Sequence, residues 1–167
     1  MRSIGFIDAA HYLLLIALIV GGCGRDEPAA KPGSSTKSQM PLSSFAQELA
    51  ASDIISQMRV GEKKELTMTI KNSGPDTWAA VGDSGVTLSY NWFDAKRTPV
   101  SLASGGGLRT HLPTDLKSGE SMRLKAAVAA PAEPGKYTLR WTMVQENVAW
   151  FDQKGGKSLD MAVNIKK

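Results

Sequence analysis

Cysteine is almost absent from this sequence: Cys23 is the only one among 167 residues. A single thiol excludes structural disulfides within the chain, so the fold must hold by packing alone. Histidine is nearly as scarce, with only His11 and His111 present. These, with scattered methionines, do not supply the clustered ligands that zinc or copper requires. No uninterrupted apolar run reaches the roughly 20 residues that cross a bilayer as a helix. Nor does one sign of charge dominate. The 20 Lys and Arg exceed the 16 Asp and Glu by a net +4. The basic residues lie scattered, at Lys63-Lys64, Lys96-Arg97, Lys154 and Lys166-Lys167, without the interleaved aromatics of a nucleic-acid surface, so no nucleic-acid partner is expected.

Catalytic parts are also missing. There is no Gly-rich loop between a strand and a helix to cradle phosphate, and nucleophilic triads lack members. A carboxylate pair is the one chemistry left. Asp76, Asp83, Asp94, Asp115, Glu120, Glu146 and Asp152 fall in loops or at strand ends, where acids serve solvation and turn bonding. The expectation is a protein that is not an enzyme and carries no cofactor and no metal.

What is present begins at the N-terminus. Arg2 and the free amine precede Tyr12–Val20, a nine-residue apolar run of the length of a signal-peptide core. Val20-Gly21-Gly22-Cys23 follows and resembles the bacterial lipobox. That resemblance implies cleavage after Gly22 and a diacylglyceryl group on the Cys23 thiol, with acylation of the new amino group in the fuller form of the pattern. Two or three acyl chains anchor firmly, since each buried methylene contributes about 0.8 kcal/mol. Removing residues 1–22 takes away only Arg2 and Asp8, leaving the +4 unchanged. Gly24 stands where an aspartate, in enterobacteria-like sorting, would retain the protein at the inner membrane. By that analogy the destination is the outer membrane, facing the periplasm. The stretch from Gly24 to Gln39, rich in Pro, Gly, Ser, Ala and charge, reads as a flexible tether. The organisation expected is a signal peptide over 1–22, a lipidated cysteine and linker over 23–44, and one domain over 45–167. Phe45–Ala51 reads as a short helical turn.

From Ile54 onward the apolar period is two. Leu66, Met68 and Ile70 alternate with polar neighbours, and the pattern recurs over 86–92, 122–128, 137–143 and 159–165, each with one wet face. An opening strand is expected within Ile54–Val60. Turns are signalled at Val60-Gly61-Glu62, Asn72-Ser73-Gly74-Pro75, Ser118-Gly119-Glu120, Pro134-Gly135 and Gly155-Gly156. About seven short strands without an amphipathic helix among them predict an all-β, immunoglobulin-like antiparallel β-sandwich, with a small barrel as the alternative. Trp92 on the third main strand and Pro134-Gly135-Lys136-Tyr137, a tyrosine-corner approach, favour the sandwich; Leu139 takes the place of an antibody domain's cysteine.

The series Asn72-Ser73-Gly74, Thr77-Trp78, Leu88–Trp92, Arg109–Asp115, Gly119-Glu120 and Pro134–Phe151 resembles an immunoglobulin-like module appended to bacterial glycosyltransferases. It is also similar to the four-tryptophan domain of autophagy receptors, with Trp78, Trp92, Trp141 and Trp150 at comparable places. The resemblance covers about Ile54 to Lys166 and implies a non-catalytic domain used for protein contacts or for positioning a partner. The methionines at 58, 68, 122, 143 and 161 fall mostly on the inward phase, as do Trp92 and Trp141. Trp78 and Trp150 are read as caps over the core ends or as a platform for a sugar ring or a peptide side chain. Arg109 is read as a partner of Asp115 or Glu146, or as a ligand contact. The candidate contact residues are thus Trp78, Arg109, Glu146, Trp150 and Phe151, beside the lipidation site Cys23. The functional expectation is a membrane-tethered protein-binding or assembly module of the cell envelope, with a carbohydrate- or peptidoglycan-binding accessory as the alternative. A sugar binder calls for exposed tryptophan faces; an assembly module calls for an uncovered sheet edge.

Overall fold

The computed structural model of the chain describes residues 40–102 and 105–167; the expected signal peptide, Cys23 and the expected tether up to Gln39 lie outside the described residues. Ten strands form. They are β1 (Gln47–Ala51), β2 (Gln57–Arg59), β3 (Lys63–Asn72), β4 (Val86–Phe93), β5 (Pro99–Val100), β6 (Thr110–His111), β7 (Ser121–Ala129), β8 (Gly135–Gln145), β9 (Ala149–Trp150) and β10 (Leu159–Lys166). One sheet has the order β1-β3-β7, and the other runs β2-β10-β8-β4-β5, with β6 added to β4 and β9 to β8. The protein is an immunoglobulin-like β-sandwich: the five long strands that alternate in sequence build its two faces. Their pairings are antiparallel, while the short β2 joins β10 in parallel through Asn164, Ile165 and Lys166. The entering chain therefore pairs first with β3 in one sheet, through β1, and then crosses to β10 in the other.

Period two becomes burial. Met68, Ile70, Leu88, Tyr90, Trp92, Leu139, Trp141 and Met143 are all buried between the sheets, each large side chain contributing about 1.5–3 kcal/mol. Met58 and Met161 join them, and Met122 packs half-buried at the margin. Trp92 pairs with Leu139 across β4 and β8 and stacks edge-on against Tyr137, ring centroids 6.1 Å apart. The Tyr137 hydroxyl donates to the Glu133 carbonyl, four residues upstream, at 3.1 Å, which is the bond of a tyrosine corner.

Asn72 explains the Asn-Ser-Gly motif. Fully buried, its Nδ2 donates to the Asp76 and Leu116 carbonyls at 2.7 and 3.0 Å, and its Oδ1 accepts from Gly74 N–H at 3.0 Å. The motif holds the β3–β4 connection against the segment before β7. Much of what carries the family resemblance is thus framework.

Two expectations need correction. Phe45–Ala51 is no helical turn: Gln47–Ala51 is β1, paired with Met68–Asn72. Its Gln, Glu, Leu and Ala favour helix intrinsically, but pairing with the edge of β3 and burial of Gln47 override a propensity of a few tenths of a kcal/mol per residue. The wet face expected for β4 is also dry over its first half. Thr87 and Ser89 are buried, because β6 pairs across Thr87 and Leu88 and Gly107 lies on Tyr90. A Cβ at Gly107 would sit 2.0 Å from the Tyr90 carbonyl oxygen, so only glycine permits that approach. Packing also starts earlier than residue 45, since Leu42 is buried and Ser43 donates through both N–H and Oγ to Asp76 Oδ2.

Candidate functional site

Three of the five candidate contact residues within the domain meet at one end of the second sheet. The β8–β9 hairpin presents Glu146 and Trp150, and the segment leading into β6 presents Arg109. Asn147 turns the hairpin at φ 58°, a left-handed conformation that asparagine tolerates; its Nδ2 donates to the Asp83 carbonyl at 2.7 Å. The Arg109 Nε donates to Glu146 Oε1 at 2.8 Å, and its Nη1 donates to Ser89 Oγ at 2.8 Å and the Gly107 carbonyl at 3.1 Å. The guanidinium lies 4.8 Å from the Trp150 ring centroid, close enough for cation–π attraction. Glu146 Oε1 also accepts from Thr87 Oγ1 at 2.6 Å. Of the two partners anticipated for Arg109, Glu146 is the one it meets; Asp115 instead accepts from Ala80 N–H at 2.8 Å. A pocket of about 280 Å³ opens here, between Arg109, Glu146, Trp150 and Gln153.

Trp78 and Phe151 face inward. Both are fully buried, with Phe151 edge-on to Trp78 and Phe45 at 5.2 and 5.1 Å. A backbone bridge holds Trp78 against Leu116, and Phe151, just past β9, is held to β8 by its N–H donating to the Met143 carbonyl at 3.0 Å. Trp78 is a cap over the core; Trp150, partly exposed, keeps the platform alternative open.

A second feature, which sequence reasoning anticipated only as a class, is an uncovered edge. β2 covers β10 only from Asn164 to Lys166, so among the described residues Leu159–Val163 has no strand on its outer side. Asn164 N–H donates outward to Ser56 at 2.9 Å and Val60 N–H reaches the Lys166 carbonyl at 2.8 Å, so the even-numbered residues of β10 direct their backbone groups to that side. Asp160 and Ala162 therefore point theirs at the gap. The free edge of β1 faces the same groove of about 420 Å³, lined by Leu49, Ala51, Ile54, Leu159, Met161 and Ala162. Ile54, at the rim of this groove, is 79% exposed.

The outer face of the second sheet carries a third cluster. Arg140 on β8 binds Asp160 on β10 through two bonds, Nε to Oδ1 at 2.8 Å and Nη2 to Oδ2 at 2.7 Å, and lies over the Phe93 ring at 4.9 Å. The bidentate bond holds the Asp160 carboxyl below the usual carboxylate range and raises Arg140 above its own ordinary value. Other acids are turn fixtures: Asp94 accepts from Lys96 and Thr98 N–H, and Glu120 from Lys117 N–H. Among the described residues, no group of three or more His, Cys, Asp or Glu stands placed to hold a metal ion. None of their helices is long and apolar enough to cross a membrane.

No known family matches the sequence, and no curated protein does. Among solved structures the chain is similar to the CARDB domain of a Pyrococcus furiosus protein, at 13% identity and a TM-score of 0.40, covering 72% of this chain and 93% of that one. It is similar to part of a β-glucosidase from Listeria innocua, at 14% identity and a TM-score of 0.41, covering 72% of this chain and 16% of the enzyme. The sporulation control protein Spo0M from Bacillus subtilis aligns at 10% identity and a TM-score of 0.38, over 73% of this chain and 49% of its own. None of these likenesses carries an activity to this chain.

Proposed function

We propose that this protein is a non-catalytic lipoprotein, tethered through Cys23 to an envelope membrane, whose sandwich binds a protein partner by accepting one of its strands. In this reading it is an accessory of the same kind as the immunoglobulin-like modules its sequence resembles. The observation that supports it is the gap beside β10: backbone groups of Asp160 and Ala162 face an apolar groove with no strand to pair them. Strand addition satisfies such groups with main-chain bonds, and pockets for alternate side chains supply selectivity. The long free edge of β7 is a poorer acceptor. Arg123 and Lys125 flank it, and at its end Tyr90 Oη and Trp92 Nε1 bond the Ala129 N–H and carbonyl, at 2.9 Å each.

The test is site-specific photo-crosslinking in cells from Ile54, with Lys125 on the other sheet as control. A discrete membrane-fraction adduct is expected from Ile54 alone, and Ala162→Pro, which removes an edge N–H without touching the β8 ladder, should abolish it. Equal adducts from both positions, or an Ile54 adduct indifferent to Ala162→Pro, would sink the proposal.

A further inference from the structure

We infer that the pocket between Arg109, Glu146 and Trp150 is a subsite for a neutral saccharide ring, separate from the strand-accepting groove. The argument begins with what the pocket has left to offer. Arg109 is only 32% exposed along its side chain and is fixed by three hydrogen bonds and the Trp150 ring. Those bonds use Nε and Nη1, so among the described residues the Nη2 donors stay free. Glu146 spends Oε1 on Arg109 and Thr87, leaving Oε2 as an acceptor. The Trp150 indole N–H has no hydrogen-bond partner among the described residues and is not among the buried unpaired groups, as those of Trp78 and Trp141 are. Free donors and a free acceptor thus stand around one pocket, held rigid before any ligand arrives, which lowers the ordering cost of binding.

The charge of that arrangement selects the ligand. Arg109 and Glu146 neutralise one another at 2.8 Å, so an anion attracted by the guanidinium meets the carboxylate beside it. Neighbouring hydroxyls suit the pocket better, because each accepts from one group and donates to another. Val148, Ala149 and the Trp150 edge supply the apolar contact that the C–H face of a sugar ring needs. A volume of about 280 Å³ sits at the lower end of small-molecule sites, the scale of one ring.

The four indole N–H resonances of the full chain in detergent micelles test this directly. N-acetylglucosamine oligomers, neutral at pH 7, should shift Trp150 alone, saturably, while the buried Trp78, Trp92 and Trp141 stay in place. Glu146→Gln, which turns the free acceptor into a donor, should weaken binding about tenfold. If its buried resonances move, Gln153→Ala at the exposed rim serves as the second variant, expected to weaken binding severalfold. The inference is overturned if no sugar moves Trp150 or if the variants bind as the wild type does. It is equally overturned if acetate, inorganic phosphate or a neutral tripeptide amide shifts Trp150 where the sugars do not.

Discussion

The side chain of Gln47 bonds the backbone of Met143 as a neighbouring strand would, its Oε1 accepting the Met143 N–H at 2.8 Å. β10 pairs with β8 only as far as Trp141, and β9 resumes at Val144, so one amide between them would face the interior unpaired. Gln47 also donates through Nε2 to Thr142 Oγ1 at 3.0 Å and to the Lys157 carbonyl at 3.1 Å. One buried amide from β1 thereby ties the first sheet to the second. Gln145 repeats the device, bonding Leu42 N–H at 3.0 Å and the Met40 carbonyl at 3.1 Å.

Gln47→Ala should therefore cost about 2–3 kcal/mol, because it takes the side-chain partner from the buried Met143 N–H and from the Lys157 carbonyl. Urea unfolding followed by tryptophan fluorescence measures it; a loss below about 0.5 kcal/mol would show that water replaces the amide.

Gly107→Ala should cost about 2–3 kcal/mol by overpacking against the Tyr90 carbonyl. The displaced loop should carry Arg109 with it, so the Trp150 indole resonance is expected to move even without ligand. An unchanged melting temperature would contradict the close approach.

Tyr137→Phe removes the hydroxyl that bonds Glu133 and keeps the ring against Trp92. A loss of about 0.5–1.5 kcal/mol is expected, measured by the same urea titration; no loss would mean the corner is held by ring packing alone.

The Arg140–Asp160 pair gives the acid limb a sign. Asp160 is held below its ordinary value of 3.8, so its contribution is fully present above that value and lost as pH falls through the lower, folded one. Thermal melts across pH 2–5 should show Asp160→Asn less stable than wild type at the upper end, with the two converging at the lower. Exposure of the pair keeps the effect modest. A constant difference across the range would assign the loss to something other than the charge.

Cys23→Ala should move the protein from the membrane to the soluble fraction and leave the far-ultraviolet circular dichroism of the domain unchanged. Membrane association that survives the substitution would remove the lipid anchor from the functional reading.

The sequence by itself determined the five long strands and most of the core. Alternation over 66–70, 86–92, 122–128, 137–143 and 159–165 is a local signal, set by which face each side chain must take. The buried tryptophans at 92 and 141 and the tyrosine corner at Tyr137 came from the same pattern. Tertiary structure decided what depends on residues distant in sequence. β1 became a strand because the edge of β3 was there to receive it. Thr87 and Ser89 became buried because the segment around Gly107 closes over β4. Trp78 and Trp150 read alike in the sequence, as core caps or as a platform, yet Trp78 is buried with Phe151 while Trp150 keeps solvent, since burial is a property of what packs above a residue and not of the residue. The meeting of Arg109 with Glu146, 37 positions apart, and the gap that β2 leaves beside β10 follow from the same cause: a strand's period fixes its faces, while its neighbours are fixed only when the whole chain has closed.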